Sequence, residues 1–254
     1  MTTTDLKALW KGQRHHLDKM SLRELMLAYL LYPAVRVYLS LLAASTAALA
    51  YLRPEPFPVL LAALSTFLVY PLAWYLIHRH ILHGRILYRS ALTAALWKRI
   101  HYDHHRDPND LRVLFGALYT TLPTIALVAL PLGYLLGGIA GAVGAFAAGI
   151  ASTLFYEFFH CIQHLRYVPR TPGMRRFKRL HMMHHFHNEQ GNFGITNFLW
   201  DRILGTYYDH ASEMPASETV FNLGYDAREQ VRYPWVGRIS EQAEPELRQS
   251  TSAR

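Results

Sequence analysis

Cysteine is nearly absent from this chain, since Cys161 is the only one in 254 residues. A single cysteine excludes an internal disulfide and a metal site built mainly from thiolates. The sequence also lacks the interleaved aromatic and basic residues with which proteins bind single-stranded nucleic acid. The net charge of +8 therefore needs no nucleic-acid partner, and we expect none. Attraction to anionic lipid head groups accounts for it equally well.

Charge is missing altogether from one long stretch. Residues 113–156 contain no Asp, Glu, Lys, Arg or His. As a single helix this stretch would extend about 66 Å, whereas the hydrocarbon core of a bilayer is about 30 Å thick. We therefore expect two membrane spans, over about 115–136 and 139–158. The turn between them is expected at Gly137-Gly138 or at Gly141.

Two further apolar stretches predict spans over about 34–52 and 57–77. Lys and Arg are concentrated before the first span, between the second and third, and after the fourth, whereas the other two connections carry almost none. By the positive-inside rule, both termini and the segments after the second and fourth spans face the cytoplasm. The predicted fold class is an all-α, multi-pass integral membrane protein with four transmembrane helices and a cytoplasmic helical cap.

Two less apolar segments flank this membrane unit. Residues 1–33 predict a cytoplasmic tail followed by an interfacial helix, because apolar residues recur there at helical spacing. Residues 34–210 contain the spans and the predicted cap. From residue 211 the chain is polar with little periodicity, so 211–254 is expected to be a C-terminal tail that is partly disordered.

Histidine has the most unusual distribution. Ten of the fifteen histidines fall into four short clusters near the predicted spans. Residues at i, i+3 and i+4 share a helix face, so the members of three clusters converge, and imidazole is the commonest metal-binding side chain. The clusters are His78 and His83; His101, His104 and His105; His160 and His164; and His181, His184 and His185.

The first cluster fits helical spacing less well. His78 and His83 are separated by roughly 140° around a straight α-helix, whereas His80 and His83 share a face. Two alternatives follow: the helix ends or distorts between His78 and His83, or His80 is the ligand.

Ten neutral imidazoles are enough for two metal ions with positions left for water. Imidazole sites suit iron, zinc or copper, but a structural zinc ion needs only about four ligands. Two iron ions that activate dioxygen would use this many ligands and open positions besides. A non-catalytic metal-binding protein or metal transporter is the alternative. A transporter, however, is expected to carry ionisable groups near the bilayer midplane, which the predicted spans lack.

Four other residues are candidates for supporting positions behind the ligands: Glu157, His80, His187 and Asn188. Glu157 lies three residues before a cluster histidine on the same face, so its carboxylate can accept the second N–H of a ligating imidazole. The alternative for Glu157 is an ordinary charge at the end of the fourth span. His80, His187 and Asn188 are candidates because they neighbour the clusters.

These motifs resemble the membrane fatty acid hydroxylase and sterol desaturase superfamily, and within it the fatty acid 2-hydroxylases. That family carries a His-x4-His pair, a His-x2-His-His box, a His-x3-His pair and a second His-x2-His-His box, in the order found here. The sequence from Asn192 to Asp201, followed by Gly205-Thr-Tyr207, strengthens a resemblance that covers roughly residues 60–210.

The resemblance implies a hydroxylase domain over 34–210, in which all ten histidines hold a dimetal centre. It favours His78 over His80 as a ligand, and Glu157 stands where these hydroxylases carry an acidic residue, usually Asp. The implied cofactors are two iron ions, which zinc can replace in a purified protein, with dioxygen as co-substrate.

The implied reaction is hydroxylation of a membrane lipid or fatty-acyl chain near its carboxyl end. A sterol or carotenoid substrate, or desaturation in place of hydroxylation, stays open as an alternative. Eukaryotic 2-hydroxylases often carry a fused cytochrome b5 domain, and nothing in this sequence resembles one. Electrons are therefore expected from a separate ferredoxin or cytochrome with its reductase.

Overall fold

The structure is a computed structural model that describes residues 16–239. Every regular element in this range is helical, and one isolated bridge, between His16 and Asp110, forms no sheet. The all-α prediction is confirmed for this part of the chain. The α-helices are α1 (Leu22–Leu31), α2 (Pro33–Leu52), α3 (Pro56–Leu76), α4 (Ala91–Trp97), α5 (Asp103–Arg106), α6 (Leu111–Leu114), α7 (Leu118–His164), α8 (Pro172–Phe186), α9 (Leu199–Ile203) and α10 (Ala227–Arg232).

Three stretches are long and apolar enough to cross a membrane. By length and composition these are Pro33–Leu52, Pro56–Arg89 and Leu111–His164. Proline occupies the first turn of both α2 and α3, where its missing N–H costs nothing and its fixed φ suits a helix. Large apolar side chains on these helices point outward, which a lipid environment favours over water.

The third stretch is a helical hairpin. The break lies at Gly137-Gly138, where Gly138 has φ 58° and ψ −146°, a conformation that other residues adopt only with strain. The two halves of α7 pack so closely at Gly133 and Gly141 that a methyl group on either residue would collide with the carbonyl oxygen of the other. The turn is therefore at the first of the two expected places, and Gly141 lies inside the second half.

Helix α1 occupies the position of the expected interfacial helix. Leu25 and Tyr29 are buried, and the Tyr29 hydroxyl donates a 2.6 Å hydrogen bond to the carbonyl of Leu154 on α7. Met26 and Leu30 on the same helix are 42% and 47% exposed. One side of helix α1 therefore packs against α7, and its other side exposes apolar side chains. Residues 1–15 of the expected tail lie outside the described residues.

The segment from 211 to 239 differs from the expected polar tail. Its side chains Val220, Leu223, Tyr225 and Val236 are buried, and the Tyr225 ring packs with its centroid 6.0 Å from that of Trp97 on α4. These apolar residues have no helical or strand period, so the sequence pattern does not reveal their burial. Residues 240–254 lie outside the described residues.

Candidate metal centre

The structure brings the ten expected histidines into one buried cluster. None of them is more than 9% exposed. They lie directly after α3, in the connection from α4 to α5 and on α5 itself, in the last turns of α7 and on α8. The ten are His78, His83, His101, His104, His105, His160, His164, His181, His184 and His185.

A change of helix type brings the first two histidines together. The residues Ile77–Leu82 form a π-helical segment directly after α3, and the amide of His83 donates a 3.0 Å hydrogen bond to the carbonyl of His78. In a π-helix the bonded residues are five apart, so the two side chains fall on one face. Their Nε2 atoms are 3.2 Å apart, whereas His80 is exposed. Of the two alternatives for the first cluster, the structure therefore shows the distorted helix, which pairs His78 with His83. His80 does not join the cluster.

Nine of the histidines form two groups. Within each group, one nitrogen per residue lies within 4.8 Å of the others, a spacing that allows the group to hold a metal ion. The groups adjoin, since the ring centroids of His105 and His185 are 4.4 Å apart. Group A contains His78, His83, His105 and His184, and group B contains His104, His160, His164, His181 and His185.

His101 belongs to neither group but lies against group A. Its Nε2 is 2.8 Å from Nε2 of His83, and its ring centroid is 4.7 Å from that of His105. The residues Lys98–Tyr102, which carry His101, form a second π-helical segment before α5. The expected tenth ligand is therefore placed beside group A rather than within it.

Backbone carbonyls orient three rings of group A. In each of them Nδ1 donates to a carbonyl oxygen, which leaves Nε2 with a lone pair. The Nε2 atoms of His105 and His184 are buried without a partner among the described residues. A buried lone pair of this kind is what a metal ion satisfies, so group A fits a metal. The pairs are His78 with Phe193 at 2.6 Å, His105 with Val220 at 3.0 Å and His184 with Gly191 at 2.8 Å.

Group B is held differently. Nε2 of His181 lies 2.9 Å from Nε2 of His164, and Nε2 of His104 lies 3.2 Å from Nε2 of His160. The Nδ1 atoms of His104, His164, His181 and His185 are buried without a partner among the described residues. In this part of the chain no backbone carbonyl orients these four rings, so their positions depend on packing against one another.

Six histidines of the buried cluster lie outside the spans, and all six have a lowered pKa. Burial, followed by a neighbouring imidazole, lowers the pKa of His105 and of His184 to about 3. Burial followed by neighbouring imidazoles also holds the pKa of His101, His104, His181 and His185 well below the usual 6.5. Neutral imidazole is the form that binds metal ions, so the cluster needs no deprotonation to accept them.

Asp201 supports the loop that orients His78. Its buried carboxylate accepts 2.8 Å hydrogen bonds from the amides of Phe193 and Gly194 and from the hydroxyl of Thr206. In the sequence, Asp201 only closes the family-like stretch that begins at Asn192, and the pattern predicts no role for it. The one available signal was a lone acid closing a loop rich in Asn and Gly.

Glu189 supports the segment that orients His105. It is fully buried, and its Oε1 accepts a 2.6 Å hydrogen bond from the hydroxyl of Thr219, the residue before Val220. Sequence reasoning missed Glu189 as well, because its partner lies thirty residues away in a segment expected to be a tail.

The other expected supporting residues contact backbone groups instead of imidazoles. Nε2 of His187 donates to the carbonyl of Met214 at 2.7 Å, and Nδ2 of Asn188 donates to the carbonyl of Pro215 at 2.8 Å. Both residues therefore fasten the segment after residue 211 to the end of α8. Glu157 is buried, and its Oε1 accepts a 3.1 Å hydrogen bond from the amide of Gly116.

A cavity of about 290 Å³ opens against the histidines. Four cluster members line it: His78, His101, His104 and His160. Most of the remaining wall is apolar and includes Ile77, Ile81, Leu82, Leu96, Ile100 and Leu114, with Glu157 and three threonines among the polar exceptions. The cavity joins a site suited to metal ions to a space suited to a hydrocarbon chain.

The sequence profile of the fatty acid hydroxylase family matches residues 63–206, which include all ten histidines. The ceramide very long chain fatty acid hydroxylase SCS7 of Saccharomyces cerevisiae is 31% identical over 146 residues, or 55% of this chain and 36% of that protein. The dihydroceramide fatty acyl 2-hydroxylase FAH2 of Arabidopsis thaliana is 30% identical over 140 residues, or 55% and 57% of the two chains. The match to the human fatty acid 2-hydroxylase is 30% identical and covers 56% of this chain and 38% of that protein.

This chain thus aligns with between about a third and just over half of the length of these relatives. A solved structure described as full-length scs7p, with only the hydroxylase domain visible, resembles this fold with a TM-score of 0.58 at 26% identity. The superposition covers 80% of this chain and 71% of that one. The profile match spans more than half of the sequence and includes every histidine of the buried cluster, so the chain belongs to the fatty acid hydroxylase family.

Proposed function

We propose that this protein is an oxidoreductase that hydroxylates lipid acyl chains. It uses dioxygen and two iron ions, and it acts near the carboxyl end of a membrane lipid or fatty-acyl substrate. One observation carries the proposal: a largely apolar cavity is lined in part by the buried histidine cluster. The names of the relatives, which include a ceramide very long chain fatty acid hydroxylase and a dihydroceramide fatty acyl 2-hydroxylase, support this substrate class.

In this proposal the iron ligands divide between the two groups of histidines. Group A with His101 would hold one ion, and group B would hold the other, which uses all ten histidines. Bound iron supplies the oxidising power to cleave an unactivated C–H bond with dioxygen and two electrons. In group A the backbone carbonyls fix which ring nitrogen faces the metal, so those imidazoles need little reorganisation on binding.

The cavity walls position the substrate and exclude water. An acyl chain that enters the cavity exchanges water or lipid for side chains such as Ile77, Leu96 and Ile100, and its leading atoms reach His78 and His104. Exclusion of water from this space also protects the oxidising site from side reactions. The protein's contribution is therefore to bind, orient and shield, and no side chain has to act as a nucleophile.

We also propose four membrane crossings, with both termini and the site on the cytoplasmic side. The crossings are α2, α3 and the two halves of α7, because the break at Gly137-Gly138 returns the chain to the side it came from. The site lies at the opposite end of this hairpin, among most of the basic residues of the chain, and the positive-inside rule assigns that end to the cytoplasm. A separate ferredoxin or cytochrome with its reductase supplies electrons from that side.

Lipid mass spectrometry of a host that expresses the protein with a compatible electron donor tests this function. Acyl chains heavier by one oxygen are expected with the wild type and with His210→Ala, which changes an exposed histidine. They are expected to be absent with His184→Ala. Loss of two hydrogens without added oxygen would instead establish a desaturase. An unchanged lipid profile despite bound iron and a working donor would overturn the proposal in favour of a non-catalytic metal protein.

A further inference from the structure

A second concave surface lies away from the histidine cluster. It is a groove of about 400 Å³ between α8 and α9, and its floor includes Phe177, Leu180, Phe198 and Leu199. The groove is apolar at its base and basic at its rim. Neither the metal centre nor the cavity beside it accounts for this combination.

The rim of the groove has more arginines than acidic residues to pair with them. The guanidinium carbons of Arg202 and Arg176 lie 4.0 Å and 5.7 Å from the ring centroid of Tyr207, which brings the two cations to one aromatic side chain. Asp209 forms one ion pair with Arg176, at 2.8 Å, and a second one with Arg179. Among residues 16–239, the one contact described for the Arg202 guanidinium is with the Tyr207 ring. Two arginines thus share one carboxylate and the third has no described acidic partner, which leaves the rim with excess positive charge.

The groove lies beside a helix that is long and apolar enough to span a membrane. Trp200 on α9 lines the same crevice as Pro71, which lies inside the membrane-spanning helix α3. Leu199 and Ile203, on α9 as well, are 55% and 60% exposed. An apolar surface beside a span is stable in contact with lipid and unfavourable in water, so α9 rests at the membrane interface.

A row of aromatic rings connects the membrane surface to the groove. Phe155 is 60% exposed on the second half of α7, and its ring centroid lies 5.5 Å from that of Phe159. The row continues through Phe177 to Phe198 with centroid distances of 5.6 Å at each step. The lipid-facing side of the span and the floor of the groove therefore form one continuous apolar path.

Two kinds of ligand suit a basic rim: an acidic protein or an anionic lipid. An acidic protein surface would contact the rim but would leave the apolar floor without a partner. A phospholipid has an anionic phosphate for the arginines and a hydrocarbon chain for the floor, and it reaches the groove from the bilayer without crossing water. Charge and position therefore favour the lipid.

We propose that the groove between α8 and α9 binds one anionic phospholipid of the surrounding leaflet, with its phosphate between Arg176 and Arg202 and an acyl chain against Phe177, Phe198 and Leu199. This site is separate from the cavity at the histidine cluster. The proposal does not depend on the metal, on the reaction or on the substrate of that cluster.

Native mass spectrometry of the full chain in mixed micelles tests the proposal. The micelles contain equal amounts of phosphatidylglycerol and phosphatidylcholine with identical acyl chains. We expect one retained phosphatidylglycerol per chain, preferred at least tenfold over phosphatidylcholine. The double variant Arg176→Gln/Arg202→Gln should reduce this preference to within twofold, whereas the control Arg166→Gln/Arg170→Gln, which removes two exposed arginines beyond α7, should retain it.

The single variant Arg202→Gln controls for a folding defect, because it leaves both ion pairs of Asp209 in place. It should still weaken the preference for phosphatidylglycerol severalfold. A phosphatidylglycerol with a photoreactive group on its acyl chain should crosslink to residues 173–180 or 198–203. Equal retention of the two lipids, equal losses in the groove and control variants, or crosslinks confined to other segments would overturn the proposal. Weaker binding of an acidic redox protein by the groove variant, with lipid retention unchanged, would overturn it in favour of a protein-docking surface.

Discussion

Nδ1 of His78 donates a 2.6 Å hydrogen bond to the carbonyl of Phe193, across 115 residues of sequence. The amide of the same Phe193 donates to Asp201. The chain Asp201–Phe193–His78 thus links a buried acid, through the backbone of one loop residue, to a candidate iron ligand. The orientation of the metal centre depends in part on residues that never contact a metal.

Replacing Asp201 by Asn is expected to weaken metal binding at group A. An Asn amide group would face the Phe193 or Gly194 amide with its own N–H, so one buried donor loses its partner. Such a loss costs about 1–3 kcal/mol of stability, and losing support behind a ligand typically lowers metal affinity about 10- to 100-fold. Metal content of the purified protein and its thermal unfolding measure both effects.

Asp107→Asn is the matched control for this change, since Asp107 is exposed and accepts a hydrogen bond only within its own turn. It should leave both readouts unchanged. Full metal occupancy in Asp201→Asn at limiting metal would show that the Phe193 loop does not position His78.

The two groups are expected to release their metal ions at different rates. Carbonyl hydrogen bonds hold three rings of group A, whereas the described Nδ1 atoms of group B lack such partners. A chelator should therefore remove metal in two phases, with group A the slower. His181→Ala should leave only the slow phase, and His78→Ala only the fast one. A single phase, or the reverse assignment, would contradict the role given to the carbonyls.

The helical hairpin of α7 is expected to depend on Gly138. Ala at this position meets no neighbouring atom within 4 Å, but it must adopt φ 58°, which costs about 1–3 kcal/mol. The control is Gly173→Ala on α8, where the added methyl group also meets open space and φ is not positive. Gly138→Ala should lower the thermal midpoint in detergent, and Gly173→Ala should maintain or raise it. Equal effects would mean that the backbone conformation at the turn carries no strain.

The sequence was sufficient for the features that depend on local spacing. The i, i+4 spacing of His160 and His164 places both imidazoles on one face of α7, and both lie in group B. The uncharged stretch likewise requires a turn, and Gly137-Gly138 is where it occurs. These features need no knowledge of distant contacts.

The features that sequence reasoning left open or missed depend on helix type or on backbone contacts. The pairing of His78 with His83 needs a π-helical segment, and no residue pattern marks the change of hydrogen bonding from i+4 to i+5. The carbonyls of Phe193 and Val220 act through the backbone, so no side chain at those positions reveals their role. The burial of side chains after residue 211 is likewise not predictable, because the few buried residues there have no regular spacing.

The stability of the metal-free protein is expected to fall as the pH decreases from about 6.5. The pKa of His105 and of His184 is about 3 in the folded chain, against the usual 6.5 in the unfolded chain. Between these values the unfolded state binds more protons, so the stability is complete above pH 6.5 and is lost progressively toward pH 3. Each such histidine contributes up to about 1.4 kcal/mol per pH unit.

Thermal midpoints of the metal-free protein between pH 5 and 8 measure this dependence. His184→Gln removes one of these groups and should reduce the slope, whereas His210→Ala, at an exposed position, should not. A midpoint that rises as the pH falls from 6.5 to 5 would show that the buried histidines are not held neutral.

The central claim is that the histidine cluster uses dioxygen to hydroxylate a lipid acyl chain, and isotope labelling tests it most directly. The iron-loaded wild type, supplied with an electron donor and lipid under ¹⁸O₂, is expected to give acyl chains that carry one labelled oxygen near the carboxyl end. The His184→Ala variant under the same conditions should give none. Hydroxylated chains whose oxygen comes from water, or the same labelled product from His184→Ala, would contradict the account.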